Sequence, residues 1–198
     1  MLKVNDYGQR LIWWGGLGGI VGSVLTLAMV FASTLISPWF RWDSNALSEL
    51  GVGEVSLLFN AAVIISGIFN FLFAIGLREY LPRGQLAKVG VVFVMLGSVS
   101  LFLVGIFTIS YPILHGIVAL GEFLLAPIGF ILIGLSVKDN TLKKFSISAG
   151  IGALIAILVL PIFLLVSTFK VGFAVPEMIE GLIVAAWVIF MGTRLLRA

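Results

Sequence analysis

Six apolar stretches, each near the ~20 residues a helix needs to cross a hydrocarbon layer, constrain this chain more than any other feature. They fall at about 11–37, 54–77, 89–110, 113–136, 146–168 and 177–194. Lipid offers no water to bond free backbone groups, so only helices and closed barrels can span it. None of the six runs alternates as a barrel strand does. The expected fold is therefore all-α: a polytopic six-helix bundle forming a single domain over residues 1–198. Composition agrees, because 61% hydrophobic and 11% charged residues leave too little polar surface to coat a soluble globule.

The few charges are sorted by side. If every run crosses, one side receives Lys3, Arg10, Arg78, Arg83, Lys88, Lys138, Lys143, Lys144, Arg194 and Arg197. The other receives only Arg41 and Lys170, with Asp43, Glu49, Glu54, Glu177 and Glu180, and Glu122 inside a run. Ten basic residues against three acidic ones make the first side about +7. Two against six make the other about −4. Excess Lys and Arg in short loops mark the cytoplasmic face, so both termini are expected there, in a cell membrane. Lys3 and Arg10 ahead of an apolar run also have the form of a signal peptide. The run is too long for one and lacks a small-x-small cleavage site, so it is read as a retained span.

Several function classes drop out. No basic patch with interleaved aromatics is present, so no nucleic-acid partner is expected. Cysteine is absent, which excludes disulfides, thiolate nucleophiles and cysteine-bound metals. The glycines of the first run fit helix packing better than phosphate binding, since no strand precedes them and their order is not G-x-G-x-x-G. Gly15 with Gly19, and Gly18 with Gly22, make two overlapping G-x-x-x-G spacings that let helix backbones approach closely. Pro127 and Pro161 fall inside runs four and five and are expected to kink them.

Chemistry concentrates on one helix. Glu122 lies about nine residues into run four, roughly 13 Å deep at 1.5 Å per residue. A carboxylate at that depth must face protein or water, pair with a cation, or hold its proton. His115 precedes it by seven residues, on nearly the same face, and suits a proton relay or part of a cation site. Pro176 and Glu177 match helix-start chemistry, whereas Glu180 sits one turn deeper than a cap requires. An outer cavity lined by His115, Glu122 and Glu180 is the expectation.

The longest connection, 38–53, has room for structure of its own. Trp39, Phe40 and Trp42 read as interfacial aromatics, and Asp43 or Ser44 as the cap of a short helix ending near Gly51. Asn45-Ala46-Leu47-Ser48-Glu49-Leu50-Gly51, then Leu58-Phe59-Asn60 with Gly67, resembles a prokaryotic six-span membrane family of unknown function, DUF998. Val104-Gly105-Ile106-Phe107 followed by His115 resembles that family's passage from third to fourth span. The resemblance covers nearly the whole chain and implies the six-span fold without implying an activity.

The chain is also similar, remotely, to membrane hydrolases of the alkaline ceramidase and progestin-receptor superfamily, which use Ser, acids and several His around zinc. That similarity makes Ser48, Glu49, His115 and Glu122 loose counterparts. One histidine does not build a three-histidine zinc site. A carboxylate-rich site for Ca²⁺ or Mn²⁺, with His115, Glu122 and Glu49 as candidate ligands, is the metal alternative.

Three functions stay open. The leading one is an outward-facing polar cavity that binds or moves a cation, proton or lipid head group, lined by Asn45, Ser48, Glu49, Asn60, His115, Glu122 and Glu180. The second is a membrane-embedded, metal-dependent hydrolase acting on lipid; the third is a scaffold whose polar residues only bind helices together. The bilayer is the expected partner, no cofactor is evident beyond that divalent cation, and a homo-oligomer is compatible with all three.

Overall fold

The computed structural model describes residues 5–162 and 172–198. Six helices in it are long and apolar enough to cross a membrane: α1 (Asp6–Leu35), α2 (Ser56–Tyr80), α3 (Gln85–Val104), α4 (Pro112–Ser136), α5 (Asn140–Ile162) and α6 (Ala174–Leu196). No strand occurs among the described residues. Each helix packs on its neighbours in sequence, and α6 returns to α1, so the six form a closed antiparallel ring. Short connections force that order, because a tight turn leaves the next helix nowhere to go but alongside.

Local chemistry sets the ends. Asn5 Oδ1 accepts the Gly8 N–H at 2.9 Å to start α1, and Asp139 Oδ1 accepts the Leu142 N–H at 2.8 Å to start α5. Pro112 occupies the first turn of α4, where its missing N–H costs nothing. In α5 a wide π turn spans Ile155–Val159 just before Pro161. Pro161 has no N–H to give the Ile157 carbonyl and its ring crowds that oxygen, so the widened turn absorbs the proline.

Glycine brings the helices together. The Gly15 and Gly76 backbones are so close that a Cβ on Gly15 would sit 2.9 Å from Gly76 Cα. A Cβ on Gly129 would sit 2.7 Å from Gly90 O, across α3 and α4. Gly18 and Gly22 seat the Phe69 ring, and Gly19 seats Phe73 and Val188. The expected G-x-x-x-G face therefore packs α1 onto α2 and α6, which suits a lipid environment where tight van der Waals contact drives association.

One half of the ring is solidly filled. Trp187 is fully buried, stacks on Phe130 at 3.8 Å, meets Phe73 edge-on at 5.9 Å and donates its indole N–H to Ser146 Oγ at 2.9 Å. Leu77, Ile133, Met191 and Leu195 close the space around it. That half carries the basic ends of the helices. The other half holds the acidic connections and is less tightly filled.

Several boundaries differ from the sequence reading. α1, α3, α5 and α6 begin several residues early, since polar residues at Asp6, Gln85 and Asn140 continue a helix once it leaves the hydrocarbon. α3 stops at Val104 rather than near residue 110, and the chain turns over 105–111 before α4 begins. The short helix in the long connection is present as a 3₁₀ turn, Leu47–Gly51. Its cap is not Asp43 or Ser44, which bond to each other and to Arg41. Glu49 caps it instead, reaching back to the Ala46 N–H at 2.8 Å. Lys3, Lys170 and the stretch 163–168 of the expected fifth span lie outside the described residues.

Candidate functional site

Inside the acidic half of the ring lies a cavity of about 150 Å³. Polar side chains reach it from five places. Ser23 and Thr26 come from α1, Ser48 from the 3₁₀ turn, and Ser66 and Asn70 from α2. His115 and Glu122 come from α4, and Glu177 and Glu180 from α6. No lysine or arginine lines it among the described residues. At 1.5 Å per residue, Glu177 lies about 5 Å below the start of its helix, Glu180 about 9 Å, Glu122 about 15 Å and Asn70 about 21 Å. The polar groups thus form a vein leading inward from the acidic end.

The vein stops. A small second void of about 20 Å³ continues past Asn70, Ser98 and Glu122 to Phe130 and Val188. Beyond these the stacked Phe130 and Trp187 fill the ring. The cavity is therefore blind at the basic end.

The long connection covers the other end. Trp42 O accepts from Gly172 N at 3.0 Å, and Asn45 O from Ala174 N at 2.9 Å. The Leu47 N–H donates to Glu177 Oε2. These bonds tie the 3₁₀ turn across the mouth to the first turn of α6, and Leu47 and Ser48 become part of the cavity wall. On the outer surface, the Arg41 guanidinium and the Ser44 hydroxyl hydrogen-bond the exposed Asp43 carboxylate and lower its pKa to about 2.

His115 is fixed by one contact. Its Nδ1 lies 2.8 Å from the Phe107 carbonyl oxygen, which only accepts, so Nδ1 carries the proton. The other ring nitrogen is left as the one with chemistry to offer. Glu122 from α4 and Glu177 and Glu180 from α6 line the same cavity. Glu180 is 2% exposed and Asn70 8%. Asn70 gives its Nδ2 to Ser66 Oγ at 3.5 Å, while its Oδ1 and Glu180 Oε1 have no hydrogen-bond donor among the described residues.

Of the residues singled out from sequence, Ser48, His115, Glu122 and Glu180 come together here. Asn45, Glu49 and Asn60 do not. Asn45 gives its Nδ2 to Glu49 Oε2 at 2.6 Å and accepts the Arg41 N–H at 2.9 Å, so both serve the connection itself. Asn60 donates to the Gly51 carbonyl at 2.9 Å and props the end of the 3₁₀ turn. The metal set of His115, Glu122 and Glu49 is thus divided, and no group of three His, Asp or Glu able to hold a metal occurs among the described residues. Sequence reasoning passed over Asn70 with Ser66, a polar pair one turn apart in the middle of a span, where polar groups are costly enough to be a signal. It also assigned Glu177 largely to helix-start chemistry.

Residues 20–194 match the family described as "Protein of unknown function (DUF998)", and the chain belongs to that family. No curated protein and no solved structure is significantly similar to it.

Proposed function

We propose that this membrane protein is a cation-binding protein whose site is the blind acidic cavity. One observation carries the reading: Glu122, Glu177 and Glu180 converge with His115 on a single cavity whose described lining has no lysine or arginine. Carboxylates so placed repel one another at low dielectric, and a bound cation or protons must offset that repulsion. The blind end favours binding over passage, since the Trp187 and Phe130 stack leaves no route to the basic end. A scaffold is disfavoured for a related reason: polar groups serving only to join helices bond one another and leave no cavity between them.

In this reading the protein lies in the cell membrane with both termini cytoplasmic, by the excess of Lys and Arg at that end of the ring. The covered end of the cavity then faces outward, where the acidic side chains of Glu49 and Glu54 favour cations over anions near its mouth. Calorimetric titration of the purified protein with monovalent, divalent and small organic cations tests this. At least one cation should bind with 1:1 stoichiometry, and Glu122→Gln should weaken it tenfold or more without loss of fold. Binding that is unchanged in Glu122→Gln removes the cavity from the account.

A further inference from the structure

At the basic end of the ring, away from the cavity, the outer flank of α5 carries a second polar feature. Asn140, Thr141, Lys144, Phe145 and Ser148 line a trough of about 410 Å³, and all but Phe145 are exposed. Thr141, Lys144 and Ser148 are spaced by three and four residues, so they stand in a row on one face of the helix. Ile151, Ile155, Leu158 and Val159, all exposed, continue the row inward. This face points away from the bundle, since Leu142, Ser146, Ala149 and Ala153 on the other side of α5 are buried. No α5 residue lines the cavity among the described residues.

Polar side chains on a lipid-facing flank need partners. Ser33, Ser98, Ser136 and Thr193 find theirs in their own helices, each donating its hydroxyl to a carbonyl three or four residues back. The Thr141 and Ser148 hydroxyls make no such bond among the described residues, and Lys144 has no ion-pair partner among them. Charge near the trough has one free sign: Lys138 and Lys143 are exposed, while the Asp139 carboxylate is engaged by Arg194 at 3.0 Å. From Thr141 to Ser148 the polar row runs about 10 Å at 1.5 Å per residue. The head-group layer on each side of a bilayer is about 5–8 Å thick, so the row spans that layer and then meets hydrocarbon.

We propose that this face of α5 seats an anionic phospholipid from the leaflet at the basic end. Its phosphate lies on Lys144 and the Thr141 hydroxyl, an ester carbonyl on the Ser148 hydroxyl one turn deeper, and an acyl chain along Ile151 and Ile155. Lysine and hydroxyls supply the charge and donors that a phosphate needs, and Lys138 and Lys143 extend the attracting field. Phe145, packed on Phe190 at 4.4 Å, gives the trough a fixed floor. A choline lipid brings its own cation beside the same phosphate, so it gains less from Lys144. A soluble phosphate has no use for Ser148 or for the isoleucines beyond it.

The test titrates the full-length protein in detergent with phosphatidylglycerol and with phosphatidylcholine, reading bound lipid by native mass spectrometry. The first phosphatidylglycerol should bind at least fivefold more tightly than the first phosphatidylcholine. Lys144→Gln should cut that preference below twofold, whereas Lys88→Gln, which removes an exposed charge from the start of α3, should leave it. Thr141→Val combined with Ser148→Ala should weaken phosphatidylglycerol at least threefold with every charge retained. Equal binding of the two lipids by the unaltered protein overturns the proposal. So does an equal loss of preference in Lys144→Gln and Lys88→Gln, which would trace it to the spread charge of the basic end. Glycerol phosphate in tenfold excess should leave the lipid bound; displacement would give the trough to a soluble anion and contradict the lipid assignment. A lipid-free dimer that dissociates in Lys144→Gln would give the face to a second copy, again against the proposal.

Discussion

The Leu47 N–H is held by the carboxylate of Glu177, 130 positions along the chain, and this bond joins the cover of the cavity to the helix that supplies its acids. Glu177 thus has two duties: it lines the cavity and satisfies a backbone donor of the 3₁₀ turn.

Removing the Glu177 side chain should loosen the cover. Glu177→Ala leaves the Leu47 N–H without its acceptor, a loss of about 1–3 kcal/mol. Glu177→Gln keeps a carbonyl oxygen and should lose less. Hydrogen exchange at residues 45–51 reports the effect, with faster exchange in the Ala variant and a smaller change in the Gln variant. Equal protection in all three proteins would show that the bond does not hold the turn.

Helix packing should depend on glycine at particular positions. A Cβ at Gly129 meets Gly90 O, a backbone atom that cannot swing aside, at 2.7 Å. Gly129→Ala should therefore destabilise the bundle by about 1–3 kcal/mol. Gly116 lies on the same helix with nothing within 4 Å, so Gly116→Ala should be neutral or stabilising by up to about 1 kcal/mol. Thermal melting in one detergent compares the two directly.

The Trp187 indole anchors the floor of the cavity. Trp187→Phe keeps the aromatic stack on Phe130 but removes the hydrogen bond to Ser146, leaving that buried hydroxyl without its donor. About 1–3 kcal/mol of stability should be lost. Cation binding by the folded protein should be unaffected, since Trp187 does not line the cavity. A binding defect equal to that of Glu122→Gln would contradict the separation of floor from site.

Asp139 predicts an acid-side effect at the basic end. Its carboxylate accepts the Leu142 N–H, bonds Arg194 at 3.0 Å, and is held below its ordinary pKa of 3.8 by these contacts, the Leu142 bond first. A depressed carboxylate stabilises the fold fully above its unfolded pKa and loses that contribution as pH falls through the folded one. The gain is therefore present at neutral pH and disappears below about 3.8. Asp139→Asn should flatten the melting temperature against pH in that acid range, and the group's exposure keeps the change small. A steeper acid loss in the variant than in the original would reverse the assignment.

The spans, their number and the sorting of charge were legible in the sequence because lipid imposes a length and a hydropathy that local composition reports directly. Glu122 and His115 were legible for the same reason: ionisable groups stand out inside an apolar run. Their company was harder to read. Whether Glu49 or Glu177 joins them depends on which way the 38–55 connection folds over the ring, and that is decided by contacts with a helix more than a hundred residues away. Asn45, Glu49 and Asn60 looked like site residues because they are polar and clustered, yet their partners are one another and nearby backbone. Asn70 was the opposite case, a mid-span residue paired only with Ser66 on its own helix, whose place on the cavity emerges only when α2 joins α4 and α6 around the ring.

The absence of cysteine makes one measurement decisive. Ser66→Cys places a single thiol on the cavity wall, in membranes where a cationic and an anionic methanethiosulfonate of similar size can be applied from either side. If the blind acidic cavity admits cations from the acidic end, the cationic reagent reacts from that side alone. It should do so at least tenfold faster than the anionic one, after correction for their rates with a free thiol. Glu122→Gln should shrink that ratio. Equal rates for the two reagents, or labelling from the basic end, would contradict the account.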